Sequence, residues 1–587
     1  MFGQIKFISD NTAHVENINT KEQAHDLMNV HVIFESDNQR ILGEVNEISD
    51  EIIKIRLLGE YVNDRYLNGV IRKPTLNSNI RIINGAELTE LVGSLNDKNF
   101  LLGQSAIYTK YSVCPNINSL FANHMAIFGN TGSGKSCGVA RLVQNLFSNP
   151  NMMPKNANIF IFDAYGEYKT AFANINQINP DYSYKFLTPE PKEAGDMKLN
   201  IPFCLLNLDD ITLLLQASEH AQIPIIERTI RLVKIFAVKD DNANKLKNHL
   251  IARALLAVLF SNNTTEQKKN DIFSIIKTCH TPEFNFDSTI QGLGYTRTFS
   301  ECFEIDSNGY FGESVLITEY ILKFINNELE NIPTPEGTFY GIKELAEALE
   351  FTLISEGFQN NKALFDAATI LKVRVNGLLS NTVKDCFDDH AYIDMDTFIK
   401  SLVINADGKK AQIININIEN MDDTYAKVIV KIISRMLFEY AKNSPRRATN
   451  PYHLFLEEAH RYIHKDSDTF LIGYNIFERI SKEGRKYGVL LNIISQRPVE
   501  ISETVISQCS NFLIFKMTHP KDIQYIRDML PNISTEILEK QKVLQPGTCI
   551  GFGSAFKIPM IVKMEMPNPA PNSNSCDVDT CWKGMTQ

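Results

Sequence analysis

The sequence predicts an α/β protein with a small β-barrel at its start and a helical bundle inserted in its middle, and three observations carry that prediction. The octapeptide Gly129-Asn130-Thr131-Gly132-Ser133-Gly134-Lys135-Ser136 fits the pattern GxxxxGK(S/T) at every fixed position. It stands between an apolar run over 125–128 and a stretch of helical spacing over 137–147. Two later apolar runs, 158–162 and 453–456, end in carboxylates. The apolar period also changes, from short alternating runs before residue 95 to spacings of 3 and 4 between about 203 and 395.

At 587 residues the chain has length for several domains, and 44% apolar with 22% charged residues is an ordinary globular composition. Apolar runs such as 254–260 are too short to span a bilayer, and the start Met1-Phe2-Gly3-Gln4 lacks the features of a signal peptide. The expected location is the cytoplasm, without membrane contact. Ten scattered cysteines read as reduced thiols, and Cys576 and Cys581 lack the partners of a zinc site. The net charge of −10 argues against a protein that coats nucleic acid with its whole surface. Any DNA contact is then confined to a local basic lining, most simply the inside of a ring.

Residues 1–95 form the expected barrel. Ile53, Ile55 and Leu57 alternate with charged residues, and comparable runs over 3–15, 31–34, 41–48, 70–72 and 80–83 are separated by Asn, Asp, Gly and Ser. Its role is oligomerisation, docking, or a simple structural cap.

Residues 96–202 read as the first part of the α/β core. The glycines of the octapeptide let the backbone wrap a β-phosphate, and the helix that follows starts with its positive end at the same place. Lys135 then reaches the β- and γ-phosphates, and the Ser136 hydroxyl ligates Mg²⁺. Gly129 to Ser136, with Cys137 behind them, are the nucleotide-binding candidates; the competing reading is a glycine-rich turn that binds nothing. After the run 158–162 come Asp163 and Glu167, expected at the ligand edge on a parallel strand beside the first. They are members of the nucleotide site or a strand-capping turn.

Residues 203–395 are read as a helical bundle packed on the core, with a polar, Gly-containing loop over 281–310. The second part of the core, 396–563, brings back strands. The run 453–456 ends in Glu457 and Glu458, the form of a Walker B motif. Glu457 would hold Mg²⁺ through water and Glu458 would orient the attacking water; the competing reading is a solvated turn. Gln496 ends the run over 489–494, where it can sense a γ-phosphate. Arg479 and Arg485 belong to a basic cluster just upstream, on a helix end that either reaches a neighbouring subunit's phosphates or is a solvated face or dipole cap. The tail, 564–587, is Pro-, Asn- and Ser-rich and holds the only tryptophan, Trp582.

Four segments in this order, 124–136, 162–168, 456–460 and 483–488 running into 495–498, resemble the HerA family within the HerA/FtsK class of P-loop motors. The resemblance implies a RecA-like P-loop ATPase core using ATP and Mg²⁺, in a homo-hexameric ring that translocates double-stranded DNA through its pore. It also implies that the N-terminal barrels dock an effector, either a nuclease or a sirtuin-like NAD-consuming subunit, in DNA end processing or defence against phage. By the same resemblance Lys135, Ser136, Glu457, Glu458 and Gln496 take the roles above, Arg485 is the arginine given in trans to a neighbour's ATP, and Arg479 is the second choice. Two positions depart from the family pattern: Glu457 stands where Asp is common, and Ala164-Tyr165 follows Asp163 where Pro-His is common. A different class of function also fits the residues, a nucleotide-gated ring scaffold that switches an effector without moving DNA.

Overall fold

In the computed structural model, which describes all residues except 1, 20–26, 38, 151, 358–361, 465–470, 530–538, 574–577 and 584–587, the N-terminal strands form one antiparallel sheet. They are β1 (Phe2–Ser9), β2 (Thr12–Asn17), β3 (His31–Ser36), β4 (Gln39–Ile48), β5 (Ile52–Val62), β6 (Arg65–Asn68) and β7 (Asn79–Ile82), in the order β1-β2-β5-β4-β3-β7 with β6 on β5. Ile53 and Ile55 on β5, Val15 on β2, Val32 and Phe34 on β3 and Ile41 on β4 make a core drawn from one face of this sheet, so the sheet curls round it. Among the described residues no pairing joins β1 to β7, so the small barrel expected here is a curled sheet whose edge strands are not paired to each other. Residues 70–72 are not a strand: the N–H groups of Ile71 and Arg72 are turned to the Glu60 carboxylate instead of a ladder.

The central sheet comprises β8 (Gly103–Ser105), β9 (Ser112–Val113), β10 (Met125–Phe128), β11 (Asn158–Asp163), β12 (Tyr184–Thr188) and β13 (Met197–Lys198) from before the helical region. That region holds a hairpin of its own, β14 (Thr289–Gln291) and β15 (Thr296–Thr298). From after it come β16 (Ile413–Asn417), β17 (Tyr452–Leu456), β18 (Val489–Ser495), β19 (Asn511–Ile514), β20 (Thr548–Gly553) and β21 (Met560–Lys563). The order is β13-β12-β16-β11-β17-β18-β10-β19-β20-β21-β8-β9. Neighbours run parallel from β13 to β19 and antiparallel from β19 to β9.

The parallel strands read as unbroken apolar runs because both faces are covered. On β10, Ala126 and Phe128 face a core shared with the helical region, while Met125 and Ile127 face the core of the helix Lys135–Ser148 and the outer side of β3 and β4. Strand β11 does not lie beside β10, as expected from sequence; β17 and β18 stand between them. Chain order alone does not fix spatial order in a doubly covered sheet.

Between β13 and β16 the chain is mainly helical, including Gln222–Ala237, Asp241–Leu259, Thr265–Thr278, Ile342–Gly357 and Lys362–Ser380. Its apolar residues join the sheet core without a break. The stretch 281–310 is more than a loop. It carries the hairpin β14–β15 and buries Phe284, Phe299 and Phe303, with Phe284 stacked on Phe324 at 4.4 Å. Its aromatics are too irregularly spaced to show a period. Among the described residues no helix is long and apolar enough to cross a membrane, and the cysteines at 114, 137, 204, 279, 302, 386, 509 and 549 are free. Cys576 lies outside the described residues.

Candidate active site

The chain leaves β10 at Gly129, where an added Cβ would stand 2.7 Å from both Phe515 Cβ and Ser133 Oγ. Gly132 and Gly134 take φ of 74° and 88°, conformations that side chains oppose. The helix Lys135–Ser148 begins at Lys135 with no side-chain cap, so its first N–H groups are left to whatever sits in the loop. Asn130 is tied down, its amide donating to Thr518 Oγ1 at 2.8 Å, and its N–H to the Lys516 carbonyl. Gly134 is pressed against Gly547, whose N–H donates to the Ser133 carbonyl at 3.0 Å.

The carboxyl ends of β11, β17 and β18 lie along the same edge as this loop. Asp163, at the end of β11, accepts from the N–H groups of Glu167 (3.0 Å) and Tyr168 (2.9 Å) and from Asn415 Nδ2 (3.1 Å). Its carboxylate therefore holds the 163–168 turn in shape. Glu167, which that turn presents, has its carboxyl raised above the usual range, first by burial; the Ser136 hydroxyl and Lys135 oppose the shift. Glu457 is fully enclosed and accepts from the Ala164 N–H at 3.2 Å. Burial, then the carboxylates of Asp163 and Glu167, push it well above the ordinary value.

Glu458 follows in a left-handed conformation, φ 47°, unusual for a side chain of its size and a form of local strain. That twist turns it away from the β17 direction toward the loop. Its Oε1 lies 3.5 Å from Lys135 Nζ and accepts from Gln496 Nε2 at 2.8 Å, and Gln496 Oε1 accepts from Thr131 Oγ1 at 2.8 Å. Thr131, Gln496, Glu458 and Lys135 thus form one connected series from the loop's crown to its base. Its sequence signal was only partial: Gln496 stood out as a strand end, whereas nothing in the sequence marks Thr131 as its partner. His460 was also missed. Its Nδ1 lies 3.2 Å from Ser495 Oγ and 3.3 Å from Glu458 Oε2.

Arg485 and Arg479 are elsewhere. The helix Ile476–Tyr487 turns through Gly488 into the amino end of β18, so Arg485 sits at the opposite edge of the sheet from Gln496. The seven residues of β18 span roughly 20 Å. Arg485 is exposed, forms no ion pair among the described residues, and lines a cavity of about 710 Å³ with Phe121, Leu146, Met153, His453 and Leu490. Arg479 is occupied within the chain: its guanidinium stands over the rings of Phe438 (5.5 Å) and Tyr474 (5.8 Å). Neither arginine serves the phosphate loop of its own chain.

The residues present fit a nucleotide with a divalent cation. Ser133 Oγ, Glu167 Oε2 and Glu458 Oε2 are buried without hydrogen-bond partners, and the Glu167 carboxyl, close to those of Asp163 and Glu457, faces the Ser136 hydroxyl. Among the described residues no three His, Cys, Asp or Glu side chains are grouped so as to hold a metal ion by themselves.

The family model "Helicase HerA, central domain" matches residues 92–281, which include the phosphate loop, β10 and β11. The DNA double-strand break repair helicase HerA of Sulfurisphaera tokodaii is 34% identical over 26% of this chain and 31% of its own length. A probable helicase of Methanocaldococcus jannaschii is 24% identical over 89% of this chain and 85% of its own. The conjugative coupling protein TrwB has a TM-score of 0.43 at 12% identity, covering 84% of this chain and 94% of that one. The chain thus spans about a third of the length of such curated HerA helicases. The central-domain model falls on the part of the chain that carries the phosphate loop, and several HerA helicases match over roughly a quarter of the chain's length.

Proposed function

We propose that this chain is an ATPase, one subunit of a homo-hexameric ring that couples ATP hydrolysis to translocation on double-stranded DNA and works with a separate effector. The observation that carries the ATPase reading is the connected series Thr131–Gln496–Glu458–Lys135. Lys135 moves its charge from Glu458 to the β- and γ-phosphates when ATP enters, and the loop N–H groups take the remaining phosphate oxygens. Glu458 is then free to accept a proton from, and orient, the attacking water through Oε2, while Gln496 reports the γ-phosphate to it. Ser136 and Glu457 would hold Mg²⁺, which would neutralise charge on the phosphates. A RecA-like core accounts for this arrangement.

The ring is supported by Arg485, an unpaired cation on the edge away from its own loop, available to a neighbouring subunit's ATP. DNA is supported by the word helicase in the relatives' names and, given the charge of −10, by confinement of contact to a pore. The N-terminal region exposes Val62, Leu67 and Ile71 and is the surface assigned to an effector, a nuclease or NAD-consuming subunit, in DNA end processing or phage defence.

ATPase turnover measured with and without duplex DNA, alongside displacement of a strand-bound roadblock, tests the motor. Stimulation by duplex with roadblock displacement, both lost in Glu458→Ala, is expected. Effector activation that survives Glu458→Ala would move the assignment to a nucleotide-gated scaffold.

A further inference from the structure

The carboxylate of Glu458 is held at one oxygen only. Oε1 takes the Gln496 amide at 2.8 Å and faces Lys135, whereas Oε2 is buried and has no hydrogen-bond partner. The left-handed backbone at Glu458 removes it from the ladder of β17, so no strand geometry sets the carboxylate's rotation. The His460 imidazole stands beside the free oxygen, with Nδ1 at 3.3 Å. That ring is anchored in turn: Nδ1 is 3.2 Å from Ser495 Oγ, and Ser495 Oγ, at the end of β18, accepts the Arg497 N–H at 3.0 Å. The acceptor-only carboxylate oxygen facing Nδ1 favours the tautomer with its proton on Nδ1, and the Ser495 hydroxyl, able to donate or accept, accommodates it.

We propose that His460 is a positioning residue for hydrolysis: its Nδ1–H, anchored on Ser495, fixes the rotation of the Glu458 carboxylate so that Oε2 points at the attacking water. This rests on the reading of Glu458 as the water-orienting group. Gln496, at the end of β18, then holds one oxygen of the carboxylate, and His460, in the turn after β17, stands 3.3 Å from the other and limits its rotation. A misdirected carboxylate still leaves the phosphate cradle intact, so the residue acts on the chemical step and not on nucleotide affinity.

Two isosteric replacements separate this from a packing role. His460→Asn places an amide nitrogen where Nδ1 stood; His460→Gln places one where Nε2 stood. ATPase kinetics on the full-length protein with Mg²⁺ and ATP should show kcat for His460→Ala and His460→Gln reduced about tenfold or more with KM within about twofold, and His460→Asn restored to near wild type. Equal rates for the Asn and Gln variants, unchanged kcat in His460→Ala, or a raised KM at constant kcat would overturn the proposal. Glu458→Ala measured in parallel keeps the two claims apart: normal turnover there refutes the role of Glu458 itself, whereas a dead Glu458→Ala beside an active His460→Ala refutes only that of His460. The double variant His460→Ala/Glu458→Ala should be no slower than Glu458→Ala alone, since the histidine acts only through that carboxylate.

Discussion

Gln496 donates to Glu458 Oε1 at 2.8 Å while its own carbonyl accepts from Thr131, so a side chain at the end of β18 ties the buried acid to the phosphate loop. A γ-phosphate entering between Thr131 and Lys135 competes for both ends of that tie. Gln496→Ala should therefore keep ATP binding within about threefold and lose about 10² in turnover, because the acid loses its link to the phosphate. Nucleotide titration against single-turnover hydrolysis checks this. A loss confined to affinity would contradict it.

Lys135→Ala and Glu458→Ala should fail differently. Lys135 carries the charge paired with the phosphates, so its loss weakens binding of ATP and of ADP. Glu458→Ala should bind ATP at least as well as wild type, because a carboxylate 3.5 Å from Lys135 no longer competes for that lysine, and should lose about 10² or more in kcat. Equal losses of affinity in both variants would refute the division of roles.

Arg485 lies at the far edge of the sheet from its own loop. Arg485→Ala should retain ATP binding and lose most turnover, as Glu458→Ala does, yet the two defects fall on opposite faces of one subunit. In the proposed ring, mixing the two variants should rebuild a competent site wherever an intact loop meets an intact arginine. Partial recovery of ATPase activity on co-assembly, with mixing shown by differently tagged subunits, is expected. Normal turnover by pure Arg485→Ala rings would end the assignment.

His124, just before β10, gives a pH signature. Burial first, then the nearby Arg485 cation, lower its pKa to about 4 against 6.5 for the free side chain, while the Ser481 carbonyl acts the other way; its Nδ1 accepts the Leu491 N–H at 2.9 Å. The folded protein thus holds it neutral where the unfolded chain protonates it. Stability from this histidine is complete above pH 6.5 and falls as pH drops toward 4, by about 2 kcal/mol between pH 7 and pH 5. His124→Asn, which keeps an acceptor near Nδ1 and cannot titrate, should lose that much less over the same interval in denaturant unfolding. Identical pH slopes for the two proteins would refute the assignment.

The sequence made the phosphate loop and the paired acids legible because local spacing encodes them: a glycine pattern between strand and helix, and two carboxylates after an apolar run. The strands of the core were legible for the same reason. Strand order was not, since β11 is kept from β10 by two strands that lie some 300 or more residues onward, a non-local arrangement without periodic trace. Thr131 and Gln496 are 365 residues apart, and only the fold makes them partners. Asp163 stood out correctly as a carboxylate at the sheet's edge, but its bonds to the N–H groups of Glu167 and Tyr168 are a turn's own, which composition does not distinguish from ligand binding. The open curl of the N-terminal sheet escaped detection because alternation records which face is buried and not whether the edges meet.

Strand β10 pairs on one side with β18 and on the other with β19, both made of residues beyond 488. A ribosome adding about 5–20 residues per second leaves the phosphate-loop strand without either neighbour for on the order of half a minute after it emerges. During that time the nascent chain carries the whole nucleotide motif and none of the scaffold that shapes it. A chain cut short before β18 and β19 would carry the motif without the strands that shape it, so it should bind and spend no ATP.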